Sequence, residues 1–136
     1  MSDKPPVTIA LVWERELVFG GTSGDITMTL DSAAAAGPSP MQALAFALAG
    51  CMAMDVVHIL KKARHELRGM RADLSGSRAP ETPQRFTTVT LHYTINGDIP
   101  VDVVERAIEL SRQKYCSVWH SMRQDIDLTS TYEVRP

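Results

Sequence analysis

The sequence predicts an α+β protein with the element order βββ-α-ββ-α-β. Three observations carry that class. Residues 37–64 form a largely apolar stretch with the length and punctuation of one long helix. Several other segments, most clearly residues 88–95, alternate apolar and polar side chains with the two-residue period of a half-buried strand. Strands and helices come in blocks rather than in strict alternation, which separates an α+β fold from a parallel α/β sheet.

Residues 7–13 are rich in β-branched side chains, with Ile9, Leu11 and Trp13 on one face. Leu17, Val18 and Phe19 make a short second strand, and the glycine-rich residues 20–24 a turn. Ile26, Met28 and Leu30 then alternate with Asp25, Thr27 and Thr29. Three short strands in succession predict an antiparallel meander. A run of alanines, residues 33–36, leads into the long helix.

That helix opens on Ser39, Pro40 and Gln42. A serine followed three residues later by glutamine is a capping box, in which each side chain takes a backbone N–H that the first turn leaves unpaired. Proline at the first helical position loses nothing, because its missing N–H has no partner there. Residues 41–54 carry no charge, yet that run is shorter than the roughly 20 apolar residues of a membrane span. A helix apolar all round is expected in a core. Residues 40–64 as a helix measure about 37 Å, more than a chain of 136 residues covers easily, so a second subunit is expected to help. Gly50 sits mid-helix at a cost of about 1 kcal/mol relative to alanine. It reads as close packing of another backbone or as room for a substrate beside the neighbouring Cys51.

Downstream, Met70, Ala72 and Leu74 alternate with polar residues, and residues 80–83 form a turn. Val89, Leu91, Tyr93 and Ile95 give the clearest strand, ending at Asn96-Gly97-Asp98, and the two strands predict a long hairpin. Val103, Val104, Ala107, Ile108 and Ser111 fall at helical spacing over residues 101–115. Ser117 is placed to cap a short helix reaching residue 123. Ile126, Leu128, Tyr132 and Val134 form the buried face of a closing strand. No linker, repeat or low-complexity segment divides the chain, so one domain over residues 1–136 is expected.

The chain is 44% hydrophobic and carries 14 Lys and Arg against 16 Asp and Glu, a net charge of −2. That balance offers no basic patch for nucleic acid and no basic amphipathic helix for a membrane surface. The N-terminal MSDKPPVT lacks the regions of a signal peptide, so a cytoplasmic protein is expected. In that compartment two cysteines do not make a permanent staple.

The chemistry rests on Cys51, within the long helix, and Cys116, at the end of the second. They lie 65 positions apart and outside any C-x-x-C pattern. Two inert buried thiols and a redox pair are both open on spacing alone. A helix starting at Ser117 would lower the pKa of the adjacent Cys116. Asp55 and His58 share a helix face with Cys51, but seven helical residues span about 10 Å, whereas a base works within about 3 Å of its proton. Asp55 would also raise the pKa of the thiol. A Cys-His-Asp triad is therefore disfavoured. His65, His92 and His120 have no metal-ligand spacing and read as surface or hydrogen-bonded residues. Arg112, Lys114 and Arg123 flank Cys116 and are candidates to favour a thiolate. Phe46, Met52 and Met54 read first as core and second as an apolar pocket beside the thiol.

The segments GPSPMQALAFALAGCMAMDVV and AIELSRQKYCSVWHSM resemble the two signature regions of the OsmC/Ohr superfamily, and the element order agrees over nearly the whole chain. The resemblance implies an intertwined α+β homodimer with the central helices packed together. It implies that Cys51 attacks the O–O bond of an organic hydroperoxide and becomes a sulfenic acid, that Cys116 resolves it as a disulfide, and that an external dithiol reduces the pair. It implies no metal and no bound cofactor. Sulfenic acid is the reversible rung of cysteine oxidation, and a nearby thiol prevents over-oxidation. One position departs: the peroxidases carry a glutamate after the helix-opening proline, holding an arginine against the thiol, whereas this chain has Met41 followed by Gln42. Arg15 is the candidate arginine. A non-peroxidatic protein that binds a hydrophobic ligand or senses redox state at the dimer cleft, and a structural dimer with inert thiols, are the competing readings.

Overall fold

The computed structural model describes residues 4–136 and divides into two compact units, Met1–Leu44 and Ala45–Pro136. The element order is the expected one. In the first unit β1 (Ala10–Arg15), β2 (Val18–Ser23) and β3 (Ile26–Asp31) form an antiparallel meander in sequence order. Glu16 and Gly24, both at positive φ (45° and 59°), turn the chain between the strands. Glycine adopts that conformation without a Cβ penalty.

The loop after β3 is organised by Asp31. Its carboxylate accepts the backbone N–H groups of Ala33 (2.9 Å), Ala35 (3.2 Å) and Ala36 (2.9 Å). The Ala36 and Ala33 donors hold its pKa below the usual value, against the opposing effect of burial, with further help from Ala35 and the charge of Arg15. This loop delivers the chain to α1 (Pro40–Lys62), which begins in the first unit and continues in the second. The capping box forms in full: Ser39 N–H donates to Gln42 Oε1 at 3.0 Å, and Gln42 N–H donates to Ser39 Oγ at 3.2 Å. The helix stops two residues earlier than predicted, just before Arg64 at φ 65°.

α1 is long and apolar enough to cross a membrane by length and composition alone. Leu48, Met52, Val56 and Leu60, however, form a buried stripe at four-residue spacing, the pattern of a helix packed on a core. All-round burial, expected from the uncharged run, does not occur within one chain: Phe46 is 72% exposed and Met54 73%. Of the three residues assigned first to the core, only Met52 is there.

In the second unit β4 (Gly69–Arg78) and β5 (Phe86–Asn96) pair antiparallel as the predicted hairpin. β6 (Asp127–Arg135) joins β5 in parallel, so this sheet, ordered β4-β5-β6, is mixed rather than purely antiparallel. The inward residues of β5 (Val89, Leu91, Tyr93 and Ile95) are fully buried. Between the strands come α2 (Val101–Leu110), a π-helical turn (Ser111–Tyr115) and α3 (Ser117–His120). The uniform α-helix expected over residues 101–115 therefore ends at Leu110. The closing bond of the widened turn runs from Cys116 N–H to Ser111 C=O at 2.8 Å, an i→i+5 link. Such turns recur at functional sites.

Leu60 has no exposed surface, so Leu60→Ala should lower unfolding free energy by about 2–5 kcal/mol in chemical denaturation. Because folding lowers the Asp31 pKa below its ordinary 3.8, its contribution is present above that value and lost as pH falls through the folded one. Asp31→Asn should accordingly cost thermal stability at neutral pH and cost progressively less as the solution is acidified below pH 3.8.

Candidate active site

α1 carries Cys51 and Asp55 one turn apart on the same face. The π turn and α3 bring Cys116 to meet them. The two Sγ atoms and an Asp55 oxygen all lie within 4.8 Å of one another. Both cysteines are free thiols; Cys51 is partly exposed and Cys116 has no exposed surface.

Cys116 occupies the junction between the π turn and α3. The short helix is capped by Cys116 itself and not by Ser117: Trp119 N–H donates to Cys116 Sγ at 3.3 Å. Its predicted reactivity is correspondingly reversed. Burial pushes the Cys116 thiol up to about 11, offset in part by the Trp119 N–H and reinforced by Cys51 and by the charge of Asp55. Ser117 instead faces the other thiol, its Oγ 3.9 Å from Cys51 Sγ.

Cys51 receives the benefit of the α3 terminus. Burial raises its pKa, but the Val118 N–H, the Cys116 thiol and the Ser117 hydroxyl together outweigh burial and the charge of Asp55, so the pKa lies below the ordinary value of 9.0. A thiolate there is held by hydrogen-bond donors from a short segment, residues 116–118. The pair is thus asymmetric, with a partly exposed thiol that ionises readily beside a buried one that does not.

The flanking cations do other work. Arg112 donates to the Leu128 carbonyl and lies 5.7 Å from the Trp119 ring centroid. Lys114 sits over Tyr115, and Arg123 pairs with Asp125 at 2.5 Å. None of the three contributes to the pKa of either cysteine. His58 is not among the groups that converge with the thiols; it lines a surface groove with Asp55, Lys62 and Tyr115. His92 bonds Thr131 and Glu133, and His120 bonds the Arg112 carbonyl, as expected for hydrogen-bonded histidines. Arg15, in the first unit, makes a 3.5 Å ion pair with Glu14.

Three further features complete the site. Helical spacing puts Ser111 on one face with Val104, Ala107 and Ile108 but gives no sign of its partner: Ser111 Oγ donates to Asp55 Oδ2 at 2.8 Å. The buried Tyr93 hydroxyl has no hydrogen-bond partner among the described residues; burial, and then the charges of Cys116 and Asp55, raise its pKa and keep it protonated. Gly50 does not mark close backbone packing within this chain, since a Cβ there would meet nothing within 4 Å. The helix surface next to Cys51 is open.

Comparison with known proteins places the chain. Residues 31–131 match the family described as OsmC-like protein. Protein YhfA of Escherichia coli (strain K12) is 36% identical over 121 residues, covering 88% of this chain and 83% of YhfA. A hypothetical protein from Aquifex aeolicus VF5 superposes with a TM-score of 0.89 at 27% identity, over 97% of this chain and 98% of that one. An organic hydroperoxide resistance protein from Legionella pneumophila superposes at 0.73 with 14% identity, over 98% of this chain and 100% of that one, a likeness of fold.

Iodoacetamide labelling of the reduced protein, read by peptide mass spectrometry across pH, should modify Cys51 first and at a lower pH than a free cysteine. Cys116 should resist until strongly alkaline pH or unfolding. Ser117→Ala should shift the Cys51 labelling midpoint upward.

Proposed function

Because this chain belongs to the OsmC-like family, we propose that its close cysteine pair makes it a thiol-dependent peroxidase for organic hydroperoxides, with Cys51 the attacking residue and Cys116 the resolving one. The observation that carries the reading is the unlike state of two thiols in reach of each other, Cys51 lowered in pKa and Cys116 raised. The thiolate is the nucleophile. It attacks one peroxide oxygen, the O–O bond breaks, and the departing alkoxide takes a proton to leave as an alcohol. Cys51 is then a sulfenic acid. Attack by Cys116 on that sulfur forms the disulfide, and the sulfenic oxygen leaves with the Cys116 proton as water. An external dithiol returns the pair to two thiols. No step needs a metal or bound cofactor.

Met41 stands where the resemblance implies a glutamate. The donors on residues 116–118 support a thiolate without that carboxylate. Arg15 is the arginine assigned to approach Cys51. The chain acts as one domain over residues 1–136, as an intertwined homodimer in the cytoplasm. The bare apolar side chains of α1 (Phe46, Met54) and of the first sheet (Val12, Trp13, Ile26) support a partner subunit, because patches of this kind mark association surfaces.

A second reading, a non-peroxidatic protein that binds a hydrophobic ligand or senses redox state, is favoured by Met41 and by an almost wholly apolar groove in the first unit lined by Ile9, Leu11, Ile26, Met28, Leu30 and Ala43. Turnover separates the two. With a dithiol reductant, the protein should consume cumene hydroperoxide faster than hydrogen peroxide. Cys51→Ser should abolish turnover, and Cys116→Ser should leave a single oxidation event followed by inactivation. Turnover that survives Cys51→Ser, or no turnover with any organic hydroperoxide, contradicts the peroxidase reading.

A further inference from the structure

The proposed thiol chemistry does not use Asp55, yet its carboxylate converges with both sulfur atoms. Cys51, Cys116 and Asp55 are the only group of three His, Cys, Asp or Glu side chains among the described residues whose ligand atoms converge. We propose that the reduced site binds one thiophilic divalent cation of the zinc class, held by Cys51 Sγ, Cys116 Sγ and an Asp55 carboxylate oxygen, with one position left open.

The dimensions agree. With Zn–S near 2.3 Å and Zn–O near 2.0–2.2 Å, tetrahedral ligand atoms stand about 3.5–3.8 Å apart, and the three donors here already lie within 4.8 Å of one another. Soft sulfur ligands select zinc over magnesium or calcium. The surroundings are those of a metal site rather than of a loose surface cluster. Ser111 fixes Asp55 through Oδ2, while Oδ1 accepts no hydrogen bond among the described residues; outer partners of this kind orient ligating carboxylates. The Tyr93 hydroxyl is a buried donor with no partner among the described residues. Cys51 is partly exposed, giving a cation a way in.

Binding displaces the protons of both thiols. Oxidation to a disulfide removes both sulfur ligands, so occupancy and the oxidised state exclude each other. The cation would act as a reversible block on the thiols, released when they are oxidised, and it takes no part in turnover.

The test is titration of the reduced full chain with Zn²⁺ against a chromophoric chelator, and with Cd²⁺ followed by thiolate-to-metal absorption. One cation per chain should bind. Asp55→Asn should weaken it by about tenfold or more, and Ser111→Ala, which keeps every ligand, by a smaller factor. Oxidation with diamide, which needs no peroxidase activity, should release the metal. Binding that is unchanged in Asp55→Asn, or that persists in Cys51→Ser should Asp55→Asn not fold, overturns the site. So does the absence of a one-to-one complex. These readouts move independently of hydroperoxide turnover, so either proposal can fail alone.

Discussion

The molecule depends on a single juxtaposition, the thiol of Cys51 on α1 against the segment 116–118. One short stretch supplies the second thiol, the Val118 N–H and the Ser117 hydroxyl. The same stretch buries Cys116 and caps α3 with its sulfur. The two cysteines therefore leave the fold chemically unlike although they are near neighbours. Fixed backbone and hydroxyl donors stabilise a thiolate without a charged partner, and they need no reorganisation when the charge forms. That is how a chain with Met41 retains a polarised thiol.

Two local devices make the juxtaposition possible. The capping box at Ser39 and Gln42 fixes where α1 begins, and so which residues share the face of Cys51. Ser111, at the end of α2 with helical φ and ψ, reaches Asp55 from the face whose spacing it shares with Val104, Ala107 and Ile108. The π turn inserts an extra residue after it, so that Cys116 follows at a five-residue step, whereas neighbours on an ordinary α-helix repeat at three and four residues.

Much of this was legible in the sequence because it rests on local rules. The capping box is written in four residues, the β4–β5 hairpin in the alternation of residues 88–95, and the class in the order of the elements. What was not legible depends on tertiary context. A widened helical turn has no composition of its own. The exchange of roles between Cys116 and Ser117 at the α3 cap depends on which side chain the fold buries. The parallel entry of β6 is a matter of sheet pairing, not of its alternation. Uncharged residues 41–54 gave the length of α1 but not its exposed side, where Phe46 and Met54 face outward. The resemblance located both cysteines, and the reversal of their pKa values emerged only with burial and donors in place.

The central claim is that Cys51 and Cys116 form one redox unit with Cys51 as its nucleophile. The direct measurement is to give reduced protein one equivalent of cumene hydroperoxide, quench with acid, and identify the thiol products by mass spectrometry. The account predicts a disulfide between Cys51 and Cys116 of the same chain, formed together with one equivalent of the alcohol. Free thiols, or oxidation that begins at Cys116 and leaves Cys51 reduced, would contradict it.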